Sequence, residues 1–157
     1  MGLGARRRSA AMERSAMFKN ILVPIDLADA EFSRQSINRA VAFASATAGA
    51  VRLVYVRAIL PVTFMEFVPP DFETEQQESA EAKLAELARN VVAPEIKVSH
   101  VVRLGSIYNE VLQEAAEMKA DLIIVGSHQP AMSTYLLGSN AATIVRHATC
   151  SVLVLRS

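Results

Sequence analysis

The run Leu122-Ile123-Ile124-Val125, which stops at Gly126, constrains this chain more than any other stretch. Four consecutive large apolar residues bounded by a glycine read as a short strand with both faces covered. A strand of that kind needs helices above and below it, which points to an α/β layer architecture. Eleven residues separate Gly126 from Gly138, and the segment opening at Gly138 has helical spacing to about His147, with Ala141, Ile144, Val145 and Ala148 inward. A strand end followed by a glycine-serine helix entrance is a place where backbone N–H groups converge on an anion.

The rest of the chain repeats the alternation. Ile21 to Val23 is a buried-strand run with Pro24 at its end, where a proline loses no ladder bond, and Asp26 follows. Asp26 reads either as a hydrogen-bond acceptor for a ligand or as a cap for the next helix. That helix, Ala30 to Thr47, carries Ile37, Ala40, Val41, Ala44 and Ala48 on one stripe and is terminated by Gly49. Val51–Val56 is the second strand. Ala58 to Asp71, with Pro61, Pro69, Pro70, Phe64, Met65 and Phe67, reads as a long irregular connection, either a lid or partner-facing surface or a satellite core. Phe72 to Val92 is the next helix, with Ala80, Leu84, Leu87 and Val91 inward and Pro94 beyond it. Ile96 to Val102 alternates as a third strand containing His100. Ser106 caps a helix whose apolar face is Ile107, Val111, Leu112, Ala115 and Met118. Ser151 to Leu155 is the fifth strand, and its Val/Leu character favours pairing with a second subunit over an open edge. Helical crossovers imply parallel strands and right-handed connections, hence an open doubly wound sheet with its ligand site at the carboxyl ends of the strands.

At 157 residues the chain has the length of one domain, and 52% hydrophobic residues suffice for its core. The formal charge is +0 but uneven. Residues 1–16 hold Arg6, Arg7, Arg8 and Arg14 against Glu13, a net +3, which leaves −3 for the remainder. An acidic body implies no nucleic-acid surface. No apolar run approaches a bilayer span, and residues 1–16 contain no apolar signal core. They read as a disordered or non-native arm before a single domain over 17–157, with Met17 an alternative start. The lone Cys150 permits no intrachain disulfide and reads as a small buried hydrophobe. A cytoplasmic location is expected.

Gly126 would let a ribose or phosphate approach the backbone. Gly138, Ser139 and Asn140 would add donors at the positive end of a helix. The bland alternative is a glycine turn and a serine cap. No Gly-Lys-Ser/Thr phosphate loop occurs, and the position after the first strand is Pro24-Ile25-Asp26 rather than closely spaced glycines. Ser127 and His128 are adjacent in sequence, which does not place them as nucleophile and base, and no Gly-x-Ser-x-Gly elbow surrounds Ser127. His100, His128 and His147 lack metal-ligand spacing. His147 suits a helix C-terminus, and His128, between the two glycines, is either ligand-facing or an ordinary loop side chain.

Ile21–Asp26, Gly105-Ser106, Asp121–His128, Leu136–Asn140 and Cys150–Leu155, taken together and in this order, resemble the universal stress protein family. The stretch Ser133–Ala142 with Val145–Ala148 is similar to its small bacterial ATP-binding branch. The resemblance implies a Rossmann-like fold of the adenine nucleotide alpha hydrolase kind. It also implies an open five-stranded parallel sheet of order 3-2-1-4-5 and a homodimer joined through Val152–Leu155. ATP-binding members carry Gly-x2-Gly-x9-Gly-Ser/Thr. Gly126 and Gly138-Ser139 match it, whereas Gln129 replaces the middle glycine and only eight residues separate it from Gly138. By position, Asp26 would contact the adenine or ribose and the Val56 backbone would pair with adenine. Gly126 would approach ribose and phosphates, and Gly138, Ser139 and Asn140 would hold phosphate. The nucleotide-binding candidates are therefore Pro24, Asp26, Val56, Gly126, Ser127, His128, Gly138, Ser139 and Asn140. ATP, with or without Mg2+, is the implied ligand of a stress-response protein. No residue is assigned as catalytic. The alternatives are a nucleotide-independent dimeric interaction module and a slow ATP hydrolase.

Overall fold

The computed structural model describes residues 17–127 and 137–156. Five parallel strands form one sheet: β1 (Asn20–Pro24), β2 (Ala50–Arg57), β3 (Lys97–Leu104), β4 (Leu122–Gly126) and β5 (Ser151–Leu155). Their order is β3-β2-β1-β4-β5, as the resemblance implied. The helices are α1 (Ala30–Thr47), α2 (Val62–Met65), α3 (Phe72–Arg89), α4 (Ile107–Glu117) and α5 (Ser139–His147).

β1 is central, and its Ile21, Leu22 and Val23 are fully buried because neighbouring strands and both helical layers cover them. Pro24 closes the strand, and the amide of Ile25 resumes pairing with the Val54 carbonyl at 2.8 Å. Side-chain alternation divides the core into two. On one face Ile21, Val23, Leu53, Leu122 and Ile124 meet Ile37, Ala40 and Ala44 of α1 and Leu84 of α3. On the other, Leu22, Val54, Val56, Ile123 and Val125 meet Val111 and Ala115 of α4 and Ala141 and Ile144 of α5. The small residues on α1 allow that helix to lie close to the sheet.

Several local expectations shift. α1 is capped by Asp29, whose carboxylate accepts from the Phe32 amide at 3.0 Å, so capping does not fall to Asp26. Asp29→Ala is expected to cost about 1 kcal/mol in urea unfolding, the usual worth of such a cap. The left-handed residue ending α1 is Ala48, while Gly49 is required because a Cβ there would meet the Lys19 carbonyl at 2.7 Å. α3 ends at Arg89 rather than Val92. Two β-branched valines and Pro94 lie beyond that end and oppose its continuation. The connection after β2 contains the single turn α2, none of whose residues is buried. The satellite-core reading of that stretch therefore fails. Ser106 occupies the N-cap position of α4 without making a side-chain cap bond.

An ion network spans the outer half of the sheet. Glu114 of α4 is 3% exposed and accepts from Arg52 and Arg103, both at 2.6 Å. Arg103 also reaches Glu110 at 2.8 Å and Glu117 at 3.0 Å, and Arg52 donates to Ser99 at 3.1 Å. Burial opposes the charge on Glu114, yet the bonds from Arg52 and Arg103 outweigh it and hold the carboxyl below its ordinary range. The Arg103 guanidinium is held charged above its own range, chiefly by Glu110.

Candidate functional site

A cleft of about 700 Å³ opens at the carboxyl ends of β1, β2 and β4. The strand order reverses between β1 and β4, the place where open parallel sheets hold their ligands. Its size is that of a small-molecule site. Val54, Val56 and Val125 of the sheet line it together with Ile107 and Val111 of α4 and Asn140, Ala141 and Ile144 of α5. The β1–α1 connection and the first turns of α1 complete it through Asp26, Asp29, Phe32, Ser33 and Ser36.

Of the sequence-predicted residues, Pro24, Asp26, Val56, Gly126 and Asn140 line this cleft. Ser127 and Ser139 adjoin lining residues in the chain and Gly138 lies one residue further off; none of the three lines the cleft itself. His128 lies outside the described residues, as do Gln129, Pro130 and residues 1–16.

The position of Asp26 is set by its loop. One carboxylate oxygen accepts from the Ala28 amide at 2.9 Å, and the Asp26 carbonyl accepts from the buried Ser33 hydroxyl at 2.8 Å. The Ser33 oxygen in turn accepts from the Asp26 amide at 3.2 Å. These bonds fix the turn and leave the exposed carboxylate at the cleft rim.

Gly138 is the N-cap of α5, with φ −56° and ψ 150° and no side-chain cap bond. The first intrahelical bond runs from the Ala142 amide to the Gly138 carbonyl at 2.8 Å. The amides of Ser139, Asn140 and Ala141 precede it and have no intrahelical acceptor, so three donors and the positive helix end face outward together. Ser127 behaves differently: its amide donates to the Leu155 carbonyl at 2.9 Å, prolonging the β4–β5 ladder.

Gly126 is not bare. A Cβ built on it would fall inside the Phe32 ring, with the ring Cζ 2.7 Å away. The ring therefore occupies the space that the missing side chain leaves, a contact the sequence reading did not anticipate.

Among the described residues the charged side chains lining the cleft are Asp26 and Asp29, with no lysine or arginine. The acidic rim suits hydroxyls or N–H donors of a ligand, and the α5 entrance suits its anionic end. Among the described residues no cluster of three or more His, Cys, Asp or Glu side chains could hold a metal ion. Cys150 is not among the residues lining the cleft, and burial, with Asp121 nearby, pushes its thiol up from its ordinary value. Among the described residues no helix is long and apolar enough to cross a membrane.

Known proteins agree with this architecture. The sequence model described as the Universal stress protein family matches residues 17–156. Universal stress protein G of Escherichia coli O157:H7 is 34% identical over 143 residues, covering 89% of this chain and 100% of its own. Universal stress protein A homolog 1 of Coxiella burnetii is 34% identical over 140 residues, covering 87% of this chain and 94% of its own. Among solved structures, hypothetical protein MJ0577 superposes with a TM-score of 0.76 at 25% identity, covering 90% of this chain and 98% of that one. A universal stress protein solved in complex with cAMP shares the fold, with a TM-score of 0.64 at 22% identity over 89% of this chain and 98% of that one. On the family match and the two curated relatives, the chain belongs to the universal stress protein family.

Proposed function

We propose that this chain binds an adenine nucleotide, ATP, and that occupancy of the cleft regulates its part in a stress response. The observation that carries the reading is that Asn140 and Ala141, in the first turn of α5, line a nucleotide-sized cleft on the strand-order switch. In this reading Asn140 and the Ser139 amide meet phosphate, Gly138 keeps the approach clear, and Asp26 faces the ribose or base. Val56 and Pro24 border the base, Gly126 borders the ribose, and Ser127 and His128 continue from the end of β4. The cAMP complex of a protein with this fold supports an adenine ligand. Mg2+ would enter with the ATP phosphates. Two cleft carboxylates engaged in local turns favour a bound signal over a rapidly hydrolysed substrate. Association through β5 also belongs to this reading: Val152–Leu155 form one edge of the sheet and are only half buried in the single chain, which suits pairing with a second copy.

The test is a calorimetric titration of nucleotide-free protein with ATP and Mg2+, beside AMP and GTP, on wild type and Gly138→Val. ATP is expected to bind preferentially, with the valine weakening it about tenfold or more while circular dichroism stays unchanged. A folded, empty wild type that takes up no nucleotide would refute the reading and favour the nucleotide-independent interaction module.

A further inference from the structure

Residues 58–82 form a segment of one-sided charge, largely at the surface. They contain Glu66, Asp71, Glu73, Glu75, Glu78 and Glu81 and no lysine or arginine, a net −6 in a chain whose formal charge is +0. The same segment exposes Ile59 (68%), Val62 (82%), Phe64 (59%) and Phe67 (83%). Single exposed apolar residues are ordinary, whereas a run of them on one short turn marks an interaction surface. The chain has six phenylalanines, and others of them have partners. Phe18 and Phe43 stack edge-to-face at 5.7 Å, and Phe32 fills the space at Gly126. Phe64 and Phe67 belong to neither core cluster.

The turn is held in place. Phe64 and Phe67 amides donate to the Pro61 and Phe64 carbonyls at 2.9 and 3.1 Å. Arg57, at the end of β2, grips Glu73 at 2.7 Å and Gln77 at 3.0 Å, tying the acidic start of α3 to the strand from which the apolar turn leaves. Glu66, Asp71, Glu75 and Glu78 remain exposed around it.

We propose that the α2 turn and the start of α3 form a docking surface for a basic amphipathic helix of a protein partner. Charge decides among occupants. A second copy of this chain related by a two-fold axis would bring like carboxylates face to face. An anionic membrane leaflet would repel the surface, as would nucleic acid. A helix with apolar residues on one face and Lys or Arg on its flanks satisfies both the aromatic anchors and the carboxylates.

The probe is a fluorescein-labelled helical peptide with leucines on one face and lysines on the other, titrated into the full chain and followed by anisotropy. A Leu/Glu peptide of the same pattern is the control. Because both rings are exposed and outside the core, Phe64→Ser/Phe67→Ser is expected to fold normally and to weaken the Leu/Lys peptide about tenfold or more. Glu66→Lys/Asp71→Lys/Glu75→Lys is expected to do the same and to flatten the salt dependence, with the Leu/Glu peptide silent on wild type. Absence of Leu/Lys binding, or binding indifferent to the phenylalanine pair, overturns the proposal. It is also overturned if sedimentation shows that the phenylalanine variant dissolves a wild-type oligomer. Flotation of wild type with phosphatidylglycerol vesicles, lost in that variant, overturns it too.

Discussion

Glu114→Ala is expected to lower the free energy of unfolding by about 3 kcal/mol, the lower end of the cost of breaking a buried ion pair. The side chain is 3% exposed and takes one guanidinium on each oxygen. Its removal leaves both arginines facing each other beneath α4. The larger penalties belong to a charge left with nothing. Arg103 keeps Glu110 and Glu117, and Arg52, 36% exposed, can turn to water. Urea denaturation would show a lower midpoint with the slope unchanged, and the melting temperature should fall by about 6–12 °C. Glu114→Gln should recover little, because its NH₂ group would point a donor at a guanidinium. A variant within 0.5 kcal/mol of wild type, the usual range of a neutral surface change, would mean that the network is bypassed by solvent.

The same carboxylate gives the fold an acid limb. Its pKa is depressed in the folded chain from an ordinary 4.5. Its contribution is therefore complete above that ordinary value and is lost as pH falls through the depressed one. The stability gap between wild type and Glu114→Ala should be widest near neutrality and close on acidification. Arg103, shifted upward, contributes at every pH below its ordinary value and adds no slope on the acid side.

The legibility of this molecule in its sequence follows the range of the interactions. Strands such as Ile21–Val23 and Leu122–Val125 announce themselves by uninterrupted apolar runs, and α1 and α5 by small and branched residues at helical steps. The order of the strands is not written in spacing; the family resemblance supplied it. The cleft lining was legible at Pro24, Asp26, Val56, Gly126 and Asn140 because strand ends and helix starts are local features. Choosing between Asp26 and Asp29 as cap required the first helical residue, and such boundaries are the least determined part of a sequence pattern. Glu114 lay hidden among Val111, Leu112 and Ala115, with one arginine 62 residues away and the other 11. One signal did exist: Arg52 sits between Val51 and Leu53 in a buried run, and a half-exposed arginine there points to a carboxylate on the helix that covers the strand.

Gly126→Val is expected to destabilise the protein by about 3 kcal/mol, the upper range for overpacking. The direction is diagnostic. Valine is a better strand residue than glycine, so a glycine kept there by nothing would yield a more stable protein on substitution. The added atoms must instead enter the Phe32 ring. Phe32→Ala alone should cost less than a full core truncation, because Phe32 is half-buried at the cleft wall. Combining the two lets valine fill the vacated space, and the pair should be non-additive by about 2 kcal/mol. Additive costs would show that α1 shifts to accommodate the side chain and that the ring contact carries no specificity. The double variant also separates two uses of one glycine. A glycine serving only the ring predicts that stability and nucleotide affinity return together when Phe32 is removed. A glycine that seats the ring as part of the ligand's wall predicts that stability returns while ATP binding stays lost, because Phe32 lines the cleft and the double variant lacks it.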